Sequence, residues 1–108
     1  DKAAQGKSYS EKLLAKDIER GRTSPEKAAA LLARIQPTTD YADLKDCDFV
    51  VEAVFEDRAI KADVTRRTEA VLPSTAVFAS NTSTLPITGL ATAFSRPADF
   101  IGVHFFSP

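Results

Sequence analysis

The stretch Ala76-Val77-Phe78-Ala79-Ser80-Asn81-Thr82-Ser83-Thr84-Leu85-Pro86-Ile87 decides the fold of this chain. A short apolar run, 76–79, stops in small hydroxyl and amide residues, and Pro86 then opens an apolar-periodic stretch. This is how a buried strand delivers polar side chains to the mouth of a sheet before a helix begins. A second event of the same kind closes the chain at Phe100-Ile101-Gly102-Val103-His104-Phe105-Phe106-Ser107-Pro108 and carries the only histidine, His104. Two strand ends that both present polar groups predict one site.

Upstream, Phe49-Val50-Val51-Glu52-Ala53-Val54 is a nearly continuous apolar run, as expected of a strand covered on both faces. Asp57 is placed to cap a following helix in which Ile60, Val64, Thr68 and Val71 form an apolar stripe, and Pro73-Ser74 ends it. A further helix is expected near 86–93, with Ile87, Leu90 and Ala91 inward. A loop through Arg96-Pro97 then leads to a strand over 100–106. Strand and helix thus alternate from residue 49 to 106, the rhythm of a parallel sheet with right-handed crossovers.

The first third differs. Residues 2–20 predict an amphipathic helix with Tyr9, Leu13, Leu14 and Ile18 near one face, and Gly21 suits the position just past its end. Thr23 and Glu26 have capping-box spacing for a second helix, Pro25 fits its first turn, and Pro37 ends the run. Ala28, Ala29, Leu31, Leu32 and Ile35 supply its apolar face. The expected organisation is a helical hairpin over 1–36 and an α/β part over 37–108, with a one-turn helix at 41–46. The four glycines, Gly6, Gly21, Gly89 and Gly102, form no phosphate-cradling turn of the kind that opens a dinucleotide fold. The chain also starts inside a helix and stops at a proline directly after a strand, as an interior excerpt would.

With 108 residues and 44% hydrophobic content, the chain has the size of one domain or of a piece of one. No run is apolar enough to span a bilayer, and the start is too charged for a secretory signal. A lone cysteine, Cys47, fits a reducing, cytoplasmic setting and forms no internal disulfide; one Cys and one His do not fill a zinc site. A net charge of -1 argues against a dedicated nucleic-acid binder. Charge is nonetheless uneven. Residues 1–36 carry eight Lys/Arg against five Asp/Glu, and 37–108 carry six against ten. The basic arm is either a solvated helix surface or a field that attracts a phosphorylated ligand.

His104, at the carboxyl edge of a parallel sheet, is either a general base near neutral pH or a core histidine bonded to backbone. Asn81 and Ser83 either orient a ligand oxygen or cap the next helix. Glu52 lies inside an apolar run, where a carboxylate needs partners. Lys61 lies in a first helical turn, where the helix dipole disfavours a cation; it is either a solvated surface lysine, the commoner case, or one that faces an anionic neighbour or ligand.

Three strings carry a family resemblance. They are Asp48-Phe49-Val50-Val51-Glu52-Ala53-Val54-Phe55-Glu56-Asp57 with Lys61, then Ala79-Ser80-Asn81-Thr82-Ser83-Thr84-Leu85-Pro86-Ile87, and Phe100 to Pro108. Together they resemble the L-3-hydroxyacyl-CoA dehydrogenases, most of all the dehydrogenase part of the multifunctional fatty-acid oxidation complex α subunit. Gly6-Lys7, Leu13-Leu14-Ala15-Lys16 and Glu19-Arg20-Gly21 are similar to the helical arm of that branch. The resemblance implies a partial Rossmann-type, doubly wound parallel sheet with its first strand and Gly-rich turn missing. It further implies oxidation of an acyl-CoA substrate with NAD in fatty-acid β-oxidation. His104 takes the place of the catalytic base and Ser83 that of the residue on the substrate oxygen beside the nicotinamide. Val54, Phe55, Glu56, Lys61 and Ser107 fall on cofactor-site positions, and the basic arm on the region that meets CoA. No metal is implied. A homo-oligomer or multienzyme complex is implied for the full-length protein.

Ser107 departs from the family, which commonly has Asn there, so its shorter reach weakens that NAD contact. The acid partner of His104 and half of the cofactor site are expected outside these residues, so the isolated chain is expected to be inactive. The apolar edge beside strand 49–54 invites association. The alternatives are a non-catalytic nucleotide- or acyl-CoA-binding module, and a related NAD(P) hydroxy-acid dehydrogenase.

Overall fold

The computed structural model describes residues 1–107, which divide into two compact units, Asp1–Asp40 and a second beginning at Tyr41. The first unit is a helical hairpin. Helix α1, Lys2–Glu19, starts where the Asp1 carboxylate accepts the Ala4 amide, and it ends at Arg20 before Gly21, whose φ of 70° is the left-handed value that glycine tolerates. Helix α2, Pro25–Leu32, is capped by Ser24, whose hydroxyl accepts the Lys27 amide at 3.2 Å. The cap is therefore Ser24 rather than the expected Thr23, because Pro25 must occupy the first helical position and its cap must directly precede it. The helix also ends short of Pro37, with the Arg34 and Ile35 amides tightening onto the carbonyls of Leu31 and Leu32. Only Ala28 is buried in α2 and nothing is fully buried in α1. Tyr9, Leu13, Leu31 and Ile35, all expected inward, are exposed, since two helices cover only one strip of each other.

The second unit is a three-stranded, all-parallel sheet in the order β1-β2-β3, comprising Phe49–Glu52, Val77–Asn81 and Phe100–Val103. A 3-10 turn at Tyr41–Leu44 precedes β1, helix α3, Arg58–Glu69, joins β1 to β2, and helix α4, Ile87–Ala91, joins β2 to β3. The expected α/β class and parallel sheet are thus present. Val50 pairs with Phe78 and Phe78 with Phe100, so alternation along the strands puts these three on one face. There Phe78 meets Phe100 and Phe94 with ring centroids 5.4 and 5.6 Å apart, and Leu90 completes the buried cluster. Phe94 follows α4 in a turn and had no periodic signal to place it inward.

Both α3 and α4 pack on that face. The opposite face still exposes Phe49, Val51 and Ile101, so β1 is not covered on both sides as its apolar run suggested. Strand β1 also ends at Glu52, with Ala53 and Val54 outside the ladder. On α3 the buried residues are Lys61, Thr65 and Thr68; Thr68 belongs to the expected stripe, whereas Lys61 and Thr65 stand one position past its Ile60 and Val64, and Ile60 is exposed. Glu52 points to the α3 side of the sheet, where a buried carboxylate needs a partner, and Lys61 supplies it.

At the amino end of β2, the Arg96 guanidinium donates to the carbonyls of Ala76 at 2.9 Å and Pro73 at 3.3 Å, pairs with Asp99, and lies 5.0 Å from the Phe94 ring centre. Arg96 thereby ties the entry to β2 to the 3-10 turn Pro97–Asp99 that leads into β3. Gly102 in β3 faces Ile87 so closely that a Cβ there would lie 2.5 Å from Ile87 Cδ1.

Candidate active site at the strand ends

The carboxyl ends of the three strands carry the polar side chains that the sequence singled out. Below them lies a buried set. Glu52 and Lys61 have side chains only 1% exposed, and Lys61 Nζ donates to Glu52 Oε1 at 2.8 Å. The same ammonium reaches the carbonyl of Asn81 at 2.9 Å and that of Val54 at 3.5 Å. Glu52 Oε1 also accepts the Val54 amide at 2.8 Å, and Glu52 Oε2 accepts Ser80 Oγ–H at 2.5 Å. Among the described residues no buried side-chain polar atom lacks a hydrogen bond. Glu52 thus has the partner that a carboxylate in an apolar run needs, and Lys61 is buried against an anionic neighbour rather than solvated.

Above this set, Glu56 organises the turn after β2. Its Oε1 accepts Thr82 Oγ–H at 2.6 Å, and its Oε2 accepts the Ser83 amide at 3.1 Å and Ser83 Oγ–H at 3.3 Å. Lys61 Nζ lies 3.9 Å from Glu56 Oε1. The Thr82 hydroxyl bond, then the Ser83 amide, with the Lys61 charge adding to them, hold the Glu56 carboxyl below its usual 4.5. Thr82 Oγ also accepts the Leu85 amide at 3.0 Å, closing the turn. Neither Asn81 nor Ser83 caps α4, whose first residue follows Pro86 without a side-chain cap.

Asn81 instead links the two polar strand ends. Its Oδ1 accepts the Phe105 amide at 3.3 Å, while the Thr82 amide donates to the Val103 carbonyl at 3.2 Å. These bonds set the segment carrying His104 beside the Ser83 turn. Strand β3 stops at Val103, so His104 is just past the strand rather than two residues inside it; its exposed ring sits 4.4 Å from that of Phe106. Phe55 is 73% exposed next to Glu56, and Ser107 is exposed at the far end of the same segment. The structure therefore joins Val54, Glu56, Lys61 and Ser83 in one bonded network and brings the His104 segment to its edge. Among the described residues, Ser107 makes no bond into that network. Ser80, which the sequence reading passed over, was findable from the parallel register, which sets it opposite Glu52.

A parallel sheet with alternating helices and a polar cluster at its carboxyl edge is a Rossmann-type nucleotide-binding architecture. The comparisons carry this further. The family described as "3-hydroxyacyl-CoA dehydrogenase, NAD binding domain" matches residues 1–108, and the chain belongs to that family. It is 43% identical over 103 residues to the fatty acid oxidation complex subunit alpha of Psychrobacter cryohalolentis, a match covering 95% of this chain and 14% of that protein. The corresponding subunit of Acinetobacter baylyi is 48% identical over 96 residues, covering 89% of this chain and 13% of that protein. The chain thus spans about one seventh of these relatives. Among solved structures, (S)-3-hydroxybutyryl-CoA dehydrogenase from Ralstonia eutropha superposes with a TM-score of 0.91 at 35% identity, covering 96% of this chain and 37% of that one. Among the described residues, no helix is long and apolar enough to cross a membrane.

Proposed function

We propose that this chain is the nicotinamide-facing part of an enzyme that oxidises L-3-hydroxyacyl-CoA to 3-oxoacyl-CoA in fatty-acid oxidation. The observation that carries the reading is the bond from the Phe105 amide to Asn81 Oδ1, which makes one cluster of the Ser83 turn and the His104 segment. The residues fit NAD by their chemistry. Glu56 is held ionised and accepts hydrogen bonds as ribose hydroxyls require, and Phe55 offers an exposed flat surface. Val54 and Lys61 support this wall from beneath. NAD, when bound, supplies the acceptor for the hydride that leaves C3.

His104 Nε2 or Nδ1 takes the proton of the 3-hydroxyl as that hydride departs, so one proton and one hydride leave the substrate. Ser83 Oγ–H steadies the charge developing on the 3-oxygen. Its bond to Glu56, at 3.3 Å, is long for O–H···O, so the hydroxyl turns to a substrate at small cost while the Ser83 amide stays anchored. The arm by itself carries Lys7, Lys12 and Lys16 on α1, a basic charge of the kind that phosphorylated ligands such as CoA require. The longer protein works as an oligomer or multienzyme complex in the cytoplasm.

In that longer protein, His104→Gln is expected to abolish NADH formation from a 3-hydroxyacyl-CoA, read at 340 nm, while NAD binding measured by fluorescence stays close to wild type. Retained turnover would overturn the assignment of the base. Turnover of free 3-hydroxy acids without CoA would shift the substrate class to simple hydroxy acids. The isolated 108-residue chain is expected to form no NADH, because among the described residues His104 has no carboxylate partner and no Gly-rich turn is present.

A further inference from the structure

A fully buried lysine and glutamate are a poor way to gain stability, since desolvating both charges cancels much of their attraction and apolar residues of similar volume do as well or better. Lys61 and Glu52 nevertheless occupy the space directly under the candidate site. What the charged pair does, and an apolar pair cannot, is grip backbone. The Lys61 ammonium holds the carbonyls of Val54, just past β1, and of Asn81, the last residue of β2. Glu52 holds the Val54 amide with one oxygen and the Ser80 hydroxyl with the other. The ends of two parallel strands and the first turn of α3 are thereby fixed to a common centre. Lys61 also faces Glu56, which carries Thr82 and Ser83. A continuous polar route runs from Ser80 through Glu52, Lys61 and Glu56 to Ser83.

We propose that Glu52 and Ser80 are positioning residues for the dehydrogenase reaction. Their buried network with Lys61 fixes the Asn81 carbonyl, and with it the turn that aims Ser83 and anchors the His104 segment through Asn81 Oδ1. The inference rests on the reading that Ser83 and His104 act on the substrate. Misplacing reacting groups by about 1 Å costs on the order of 10²-fold in rate. Losing one anchor of this centre is therefore expected to lower kcat by roughly 10- to 100-fold.

The test uses the longer protein with four variants: Ser80→Ala, Glu52→Gln, Lys61→Met and the double variant Glu52→Gln/Lys61→Met. Melting temperature, kcat and KM with NAD and a 3-hydroxyacyl-CoA, and hydrogen exchange of the 81–85 peptide in the NAD-free protein are measured for each. Ser80→Ala is expected to fold normally, exchange faster at 81–85, and lose kcat with little change in KM. Lys61→Met is expected to melt lower, and the double variant, which removes both charges, to regain melting temperature without regaining kcat. If Glu52→Gln does not fold, Ser80→Ala, which deletes one hydroxyl, decides the matter alone. Recovery of kcat together with stability in the double variant, or an unchanged kcat and exchange rate in Ser80→Ala, would overturn the proposal. Turnover that survives His104→Gln would instead break the underlying reading, so the two failures are distinguishable.

Discussion

Gly102→Ala offers the sharpest test of how the sheet aims its site. Gly102 lies in β3, two residues before His104, and pairs in register with Ser80. Its φ is not positive, so alanine meets no backbone objection, and an alanine in a strand interior would ordinarily be an improvement. The obstacle is Ile87. A Cβ on residue 102 would stand 2.5 Å from Ile87 Cδ1 and 2.6 Å from Cγ1, where ordinary contact begins near 3.4 Å. The gap must open by about 1 Å, and β-branching restricts χ1 of Ile87, so its side chain has little room to retreat. Helix α4 or the end of β3 must therefore move. Overpacking of this kind costs about 1–3 kcal/mol. Native-state hydrogen exchange on peptides of β2 and β3 reads that as roughly 5- to 150-fold faster exchange if these amides open together. Ile87→Ala carries its own cavity cost but clears both contacting atoms. In that background Gly102→Ala is expected to be neutral or slightly favourable. Equal cost of Gly102→Ala in both backgrounds would refute the steric reasoning and point to the strand itself.

Phe78→Ala, at a fully buried position stacked on Phe100, is expected to destabilise the second unit by about 3–5 kcal/mol in denaturant unfolding, and a loss below 1 kcal/mol would contradict the aromatic core. Ser24→Ala is expected to cost α2 about 0.5–2 kcal/mol, while Thr23→Ala leaves its helicity unchanged by circular dichroism; the opposite ranking would restore the capping box to Thr23. Glu56 has a folded pKa below its usual 4.5, so its contribution is complete above that value and is lost as pH falls through the lower folded pKa. Protection of the Ser83 amide should accordingly survive acidification past 4.5 and vanish only below it, and Glu56→Gln should remove this pH dependence.

The sequence makes the architecture legible wherever local chemistry and tertiary packing agree. Asp57 caps α3 through the Ile60 amide, as its position before the helix announces, and the alternation of apolar strands with helices reports the parallel sheet. Reading fails where a partner distant in sequence decides the outcome. Periodicity nominates Ile60 for the core of α3, yet Lys61 is buried there as the partner of Glu52 and Ile60 is exposed. The run 49–54 carries the composition of a doubly covered strand, but composition does not say which face receives helices. At the site, residue types announce Ser83 and His104 as chemically able, while Glu56 enters only through the family resemblance. That Glu56 holds Ser83, and that Asn81 binds across to Phe105, depends on contacts spanning more than twenty residues, which no spacing rule encodes.

Arg96 gives the sheet two ends of different chemical temper. At the entry to β2, beside its pair with Asp99, the Arg96 guanidinium holds two backbone carbonyls, and in those two bonds neither donor nor acceptor changes charge at any pH a protein meets. At the exit the fastening is Glu56, an exposed carboxylate that acid discharges. Acid therefore releases the Glu56 hold on the Ser83 turn, while the carbonyl bonds of Arg96 at the opposite end are still made.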